Sequence, residues 1–97
     1  MADKSERVAR IESALSEAIE PAYLRVEDES ALHAGHAGAA DGRGHYRVHI
    51  VSGRFRELSR LRRHRLVYAA LESEFADAIH ALAIHAYAPD EWEAAEN

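Results

Sequence analysis

The sequence predicts an α+β (α/β) domain in which helices pack on one face of a three-stranded mixed sheet, in the order α-β-β-α-β-α. Apolar residues recur at helical spacing near the N-terminus and again after Ser59. Apolar and polar residues alternate in three short stretches, at residues 23–28, 45–52 and 81–87. A helix between the second and third stretches favours a parallel pair, because parallel strands need a long crossover.

The first half of the chain predicts one helix, one strand and a long loop. Asp3 and Glu6 have the D-x-x-E spacing of a helix start. The apolar face of this helix consists of Val8, Ile11, Leu15 and Ile19. Pro21 ends the helix, and a strand follows at Tyr23–Asp28. Glu29–Gly44 is rich in glycine, alanine and histidine without a regular period, so we predict a loop there.

The second half predicts a strand, a long helix, a strand and a short helix. The second strand is His45–Ser52, with His45, Arg47 and His49 on one face, and Ser59 is a plausible N-cap for the long helix. One continuous face of that helix, expected in the core, consists of Leu61, His64, Tyr68, Leu71, Phe75 and Ala78. Ala81–Tyr87 is the third strand, and Pro89 begins the last helix.

Composition indicates one globular domain over residues 1–97, with its core at about 5–92 and a short polar C-terminal tail. Apolar residues make up 47% of the chain, and a chain of this size buries roughly 60–70% of its unfolded surface. The apolar runs are too short to span a membrane, and the N-terminal residues contain no apolar signal segment. The chain has no cysteine, which suits a reducing compartment, so we expect a cytoplasmic protein.

Charge is distributed unevenly. The formal net charge is −5, yet residues 54–65 contain six arginines and one glutamate. Such a basic segment attracts phosphate or an acidic protein face, although it also fits a solvated helix start. The candidate nucleic-acid or partner-binding residues are Arg60, Arg62, Arg63 and Arg65.

Histidines are the candidate metal ligands, because the chain has seven of them and no thiol. His33 and His36 flank a glycine in the predicted loop, where the alternative is a pair of ordinary exposed histidines. His80 lies where the long helix ends and the third strand begins, so it is either a ligand or a cap for the last helix carbonyls. His64 is expected to be structural.

Motifs for catalysis are missing from the sequence. No serine has a neighbouring nucleophile motif, and no phosphate-binding loop of the Walker type is present. The sequence contains one G-x-x-G, Gly35–Gly38, of the kind that clamps nucleic acid in KH domains. It is predicted between two strands rather than two helices and contains no basic residue, so the match is accidental. We therefore expect a binding protein rather than an enzyme.

Five segments together resemble the BolA family. They are V-E-D-E-S (Val26–Ser30), H-Y-R-V-H-I-V-S (His45–Ser52), R-H-R-L-V-Y-A-A-L (Arg63–Leu71), I-H-A-L-A-I (Ile79–Ile84) and A-P-D-E-W (Ala88–Trp92). The resemblance covers residues 7–92, and the R-H-R-x-V-Y and H-A-L blocks are its specific parts. It implies a BolA/KH-like fold.

The resemblance also implies a partner and a cofactor. BolA-like proteins pair with monothiol glutaredoxins and share a [2Fe-2S] cluster to which the glutaredoxin and glutathione contribute thiolates. The family's histidine ligands fall on His80 and on His33, with His36 as the alternative. We expect a heterodimer active in cluster trafficking or iron regulation, and a monomer or weak dimer without cluster when the chain is alone. The alternative that the family allows is a nucleic-acid-binding transcriptional regulator that uses the basic helix.

Overall fold

The computed structural model describes residues 4–30 and 43–96. The elements, in chain order, are α1 (Lys4–Ile19), β1 (Tyr23–Asp28), β2 (Gly44–Val51), α2 (Arg60–Ala70), α3 (Glu72–Asp77), β3 (Ile79–Tyr87) and α4 (Pro89–Glu96). A single 3₁₀ turn, Gly53–Phe55, connects β2 to α2. The predicted fold class is confirmed, and the first strand has the predicted bounds.

The sheet is mixed and has the order β1-β2-β3. β1 and β2 pair antiparallel, whereas β2 and β3 pair parallel through the α2–α3 crossover. β2 is the central strand, and its side chains alternate between two environments. Tyr46, Val48 and Ile50 are buried in the core. His45, Arg47 and His49 are half-buried on the opposite face, as their alternation predicts.

The core lies between the sheet and helices α1 to α3. Its fully or almost fully buried side chains are Ile11, Leu15, Ile19, Tyr46, Val48, Ile50, Phe55, Val67, Leu71, Ala78 and Ile79. The apolar face predicted for α1 supplies three of them, and Val8 packs against the cluster as a partly buried neighbour. Burial of this apolar surface is the main force that fixes the helices on the sheet.

The predicted long helix is wrong in two respects. It is interrupted at Leu71, where the backbone turns to φ −104° and ψ 12°, and this turn lets the fully buried Leu71 enter the core between α2 and α3. Its buried face also differs, because Leu61 is 59% exposed and Tyr68 is 44% exposed, whereas Val67 is fully buried. The C-terminal part of the predicted face is confirmed, since Leu71 and Ala78 are buried and Phe75 packs against the core. Only its N-terminal part is wrong, because α2 buries Val67 instead of Leu61 and Tyr68.

An ion-pair cluster links α1 to α3. The guanidinium of Arg10 lies 2.7 Å from a carboxylate oxygen of Glu74 and 2.7 Å from one of Asp77. Its hydrogen bond to Asp77 holds the pKa of that carboxyl below its usual value. Glu74 is almost buried, and its pairing with Arg10 explains why a glutamate lies on the core side of α3.

The cap predicted for the second helix is confirmed. The side chain of Ser59 accepts a hydrogen bond of 3.2 Å from the backbone N–H of Arg62. The predicted second strand is displaced by one residue, because Ser52 leaves the sheet. The hydroxyl of Ser52 instead accepts from the N–H of Arg54 and donates to the carbonyl of Ile19, which ties the strand end to α1.

The last helix, α4, packs outside the core through Trp92. Trp92 of α4 stacks on the ring of Tyr23 at a centroid distance of 5.1 Å and lies 5.5 Å from the ring of Tyr87. The neighbours Leu24 and Ala86 pack against the core, so strand alternation places this aromatic contact on the opposite face of the sheet.

Within residues 4–30 and 43–96, no helix combines the length and the apolar character that a membrane crossing requires.

Candidate functional site

His80 occupies an irregular position in the sheet. Gly44 pairs with Ile79, but the next residue of β2, His45, pairs with Ala81. His80 is therefore the extra residue of a β-bulge, where two residues of one strand face one of the other. Its side chain is exposed. β3 begins two residues earlier than predicted, so His80 belongs to the strand rather than to the end of the helix.

The side chains of Arg43, just before β2, and of His45, in β2, lie next to that of His80. The ring of His45 lies 5.4 Å from that of His80, tilted by 47°. The Nη2 atom of Arg43 lies 3.5 Å from Nδ1 of His80. Because a guanidinium has only donors, Nδ1 is the acceptor in this long contact. The same arginine donates through Nη1 to the carbonyl of Phe75 at 3.1 Å.

Both ends of the segment 31–42 attach beside His80. On one side, the hydroxyl of Ser30 accepts from the N–H of His45 at 3.2 Å. On the other side, the N–H of Gly44 donates to the carbonyl of Ala78 at 2.8 Å. We call Ser30, Arg43, Gly44, His45 and His80 the His80 corner. The predicted loop ligands, His33 and His36, lie outside the described residues.

A cap for the last helix carbonyls was the alternative to metal ligation for His80. Two backbone carbonyls at the end of α3 instead accept hydrogen bonds from other residues. The carbonyl of Phe75 receives Arg43, and the carbonyl of Ala78 receives the N–H of Gly44. Two carbonyls at this helix end thus accept from residues other than His80, whose imidazole is exposed beside them.

A second histidine pair lies further along the same two strands. His49 and His85 are register partners, and their rings stack at 4.8 Å with an interplanar angle of 10°. Burial, followed by the neighbouring His85, lowers the pKa of His49 below its usual value. Both residues are half-buried on their strands.

Arg47 connects the second pair to the end of β1. Its Nε donates to Glu29 at 2.9 Å, and its Nη1 lies 2.8 Å from Nε2 of His85. Since arginine only donates, Nε2 of His85 accepts. Sequence reasoning missed this chain of contacts, because it depends on the parallel register of β2 and β3.

The arginines of the basic segment 54–65 differ in their contacts: Arg63 is bonded within the fold, whereas Arg60, Arg62 and Arg65 are exposed. Arg63 donates to the carbonyls of Leu58 and Ala86 and forms an ion pair with Glu91. Its hydrogen bond lowers the pKa of Glu91. Arg60, Arg62 and Arg65 are exposed, and within the described residues none of them has a carboxylate oxygen within 4.0 Å. Arg63 is therefore a structural residue, contrary to its grouping with the other three as a surface cation.

The described residues do not hold a complete metal site. Across residues 4–30 and 43–96, no group of three or more histidine, cysteine, aspartate or glutamate side chains is arranged to hold a metal ion. The His80 corner supplies one exposed imidazole and a neighbouring one, while the sequence contains no thiol. Neutral imidazole is an established ligand of iron–sulfur clusters.

Comparison with known proteins identifies the domain. The family model described as "BolA-like protein" matches residues 15–91. The chain is 46% identical over 84 residues to BolA-like protein 1 of Bos taurus, covering 87% of this chain and 60% of the relative. It is 43% identical over 84 residues to the DNA-binding transcriptional regulator BolA of Escherichia coli (strain K12), covering 87% and 77%.

Solved structures of BolA domains have a similar fold. The BolA domain of SufE1 from Arabidopsis thaliana matches with a TM-score of 0.78 and 38% identity, covering 94% of this chain and 99% of that one. The mixed sheet, the crossover and the histidine-bearing start of β3 thus define a BolA-like α+β domain. This chain belongs to the BolA family. It spans about 60% of the length of the BolA-like protein 1 relative, whose name, like that of the regulator, states no enzymatic activity.

Proposed function

We propose that this protein is an iron–sulfur partner protein that binds a monothiol glutaredoxin and contributes His80 to a shared [2Fe-2S] cluster. The observation that carries the proposal is the exposed imidazole of His80 at a β-bulge, beside both ends of the segment that contains His33 and His36. Family membership supports it, since the sequence resemblance assigns the histidine ligand to this position.

Three residues of the His80 corner have distinct parts in this proposal. His80 supplies an imidazole nitrogen, and the bulge directs it away from the regular alternation of β3. Ser30 and Gly44, which lie on either side of segment 31–42 in the sequence, are hydrogen-bonded to His45 and Ala78 in this corner. His33 is the proposed second ligand, and His36 is the alternative.

The cluster, when bound, supplies one-electron chemistry and a transferable iron–sulfur unit. Imidazole ligation leaves a cluster less negatively charged than thiolate ligation and raises its reduction potential. The protein itself provides no thiolate, so the partner and glutathione must supply them. The role that follows is cluster trafficking or iron and redox regulation rather than substrate turnover.

Anaerobic reconstitution with a monothiol glutaredoxin, glutathione, iron and sulfide tests this proposal. We expect a one-to-one complex whose visible absorption and circular dichroism differ from those of the glutaredoxin alone. His80→Ala should remove the difference, and the parallel variants His33→Ala and His36→Ala should identify the loop ligand. His85→Ala is the matched control, because it removes a histidine from the same strand outside the corner. An unchanged spectrum for His80→Ala would refute the ligand role.

Nucleic-acid binding through the basic helix is the second candidate function. The Escherichia coli relative is named a DNA-binding transcriptional regulator, and Arg60, Arg62 and Arg65 are exposed cations on one helix. Binding to duplex DNA should weaken steeply with salt and should weaken further when Arg62 and Arg65 become glutamine. The net charge of −5 opposes this candidate, and absence of binding at about 0.15 M salt would exclude it.

A further inference from the structure

Helix α2 exposes apolar side chains that the core does not use. Four large apolar residues of the described chain are exposed: Tyr23, Leu61, Leu66 and Tyr68. Tyr23 stacks on Trp92, and Tyr68 lies against the ring of Phe75. Leu61 and Leu66 are 59% and 40% exposed and have arginines as their neighbours in sequence. Exposed leucines are common on protein surfaces, so their surroundings decide whether they form a binding surface.

A cavity lies beside one of these leucines. It is lined by Leu58, Arg62, Arg65 and Leu66 and has a volume of about 260 Å³. Arg62 and Leu66 are four residues apart on one side of α2, and Leu58 precedes the helix beside them. We call these four residues the α2 cleft. It is a shallow depression open to solvent, and its volume is below the roughly 300–1,000 Å³ of small-molecule pockets.

The charge of the α2 cleft is not compensated within the described chain. Arg10, Arg25, Arg47, Arg54 and Arg63 each form an ion pair with a carboxylate. Arg62 and Arg65, by contrast, have no carboxylate oxygen within 4.0 Å in residues 4–30 and 43–96. The cleft thus combines an aliphatic floor with two cations that lack an ionic partner in that part of the chain.

We propose that the α2 cleft binds an acidic protein segment, which inserts one large apolar side chain between Leu58 and Leu66 and places carboxylates against Arg62 and Arg65. Charge complementarity selects the acidic character of the partner. The cavity selects the apolar anchor, since an anchor in a desolvated pocket surrounded by polar contacts is the usual centre of a binding surface. Neither the His80 corner nor a cluster is involved.

Leu58 and Leu66 favour an acidic protein segment over nucleic acid or an anionic membrane as the partner. A phosphate backbone would satisfy Arg62 and Arg65 but would leave the exposed aliphatic surface of Leu58 and Leu66 without a partner. An anionic membrane would meet both features, yet interfacial helices present a broad continuous apolar face. Here the apolar surface is a cleft between arginines on an 11-residue helix, which favours insertion of a side chain.

Binding of a designed peptide to the full chain tests the proposal. The probe is a fluorescein-labelled peptide of about twelve residues with one phenylalanine flanked by glutamates, measured by fluorescence anisotropy. We expect saturable binding, and backbone amide shifts in the NMR spectrum that centre on residues 58–69. Leu66→Ser should weaken binding about tenfold, and so should replacement of the phenylalanine by serine.

Charge variants separate ionic from apolar recognition. Arg62→Gln together with Arg65→Gln should weaken peptide binding at least fivefold and reduce its salt dependence. Arg25→Gln is the control for lost surface charge, because Arg25 lies in β1 and is paired with Glu27. All of these residues are exposed, so the variants should fold normally.

Three results would overturn the proposal. One is the absence of peptide binding up to millimolar concentration. The second is binding that Leu66→Ser leaves unchanged, which would show that only charge is recognised. The third is a 20-base-pair DNA duplex, or vesicles of phosphatidylcholine and phosphatidylserine, that bind to residues 58–69 more tightly than the peptide.

Discussion

Arg63 and Glu91 form a two-point ion pair: Nη1 lies 2.5 Å from Oε1, and Nη2 lies 3.2 Å from Oε2. The same carboxylate accepts the N–H of Ala88 at 2.7 Å, which fixes the start of α4. Arg63 also donates to the carbonyls of Leu58 and Ala86. One side chain therefore joins α2, β3 and α4, in the middle of a segment whose other arginines face solvent.

Arg63→Ala should therefore reduce stability, whereas its neighbour should tolerate the same change. Loss of Arg63 leaves two carbonyls and a carboxylate without their donor, and we expect a decrease of about 2–3 kcal/mol in the free energy of unfolding. Arg62→Ala is the control, with an expected change within about 0.5 kcal/mol. Urea denaturation followed by circular dichroism measures both. Equal effects of the two substitutions would contradict the structural role of Arg63.

The ion pair should fail in acid. The pKa of Glu91 is lowered in the folded state, first by Arg63 and then by the N–H of Ala88. A lowered carboxyl pKa contributes stability above the unfolded value of about 4.3, and this contribution is lost as the pH falls through the folded value. A double-mutant cycle of Arg63→Ala and Glu91→Gln should show coupling at pH 7 that decreases once the pH falls below the lowered pKa of Glu91. Coupling that persists in acid would disprove the charge-dependent contact.

His49 should titrate below its usual range. Burial and the neighbouring His85 lower its pKa, while Glu27 opposes this and Arg25 and Arg47 reinforce it. A lowered histidine pKa means that the folded state disfavours the charged form, so stability falls as the pH decreases below about 6.5. NMR titration of the His49 ring should give a midpoint below 6.5, and His49→Gln should flatten the stability profile between pH 7.5 and 5.5. A midpoint at or above 6.5 would contradict the lowered pKa of His49 and the expected loss of stability in acid.

Gly44 should be intolerant of a side chain. A Cβ atom at this position would lie 2.4 Å from the hydroxyl of Ser30 and 3.0 Å from the ring of the buried Tyr46. Gly44→Ala should therefore cost about 1–3 kcal/mol of unfolding free energy through overpacking. Gly53→Ala is the matched control, because its Cβ would meet only the flexible side chain of Arg56, at 3.1 Å. Thermal denaturation of both variants decides the matter, and equal melting temperatures would refute the steric argument.

The contact between Arg43 and His80 predicts a tautomer. Since Nδ1 of His80 accepts from Arg43, the neutral ring carries its proton on Nε2. Long-range proton–nitrogen NMR correlation on the isolated chain at pH 8 should show this form. Arg43→Met should shift the population toward the Nδ1–H tautomer, which leaves Nε2 free for a metal. An unchanged tautomer ratio would show that the 3.5 Å contact does not control the ring.

The sequence was sufficient for much of the fold, because strand alternation and the first apolar helix depend on local patterns. The break at Leu71 was not predictable in this way, since neither glycine nor proline marks it and only burial in the core accounts for it. The engagement of Arg63 was also hidden, because its carboxylate partner lies 28 positions away. Both features are decided by tertiary packing rather than by local preference.

The candidate site was predictable only in part. His80 could be selected from the family resemblance, whereas its position in the sequence alone favoured a helix cap. Its bulge depends on how Gly44 pairs across the sheet, and a register shift leaves no local signature in sequence. The α2 cleft was not predicted, because its leucines, Leu58 and Leu66, lie outside the helix face that spacing selected.

The position of His80 beside β2 has a consequence for the order of folding. Arg43 and His80 are separated by 37 positions, and the parallel pairing that joins them requires the α2–α3 crossover to be in place. Long-range contacts of this kind form late, because the entropy of loop closure must be overcome first. A nascent or partly unfolded chain can therefore contain α1 and the β1–β2 pair without presenting His80 next to His45. Only a fully folded domain offers this arrangement to a partner.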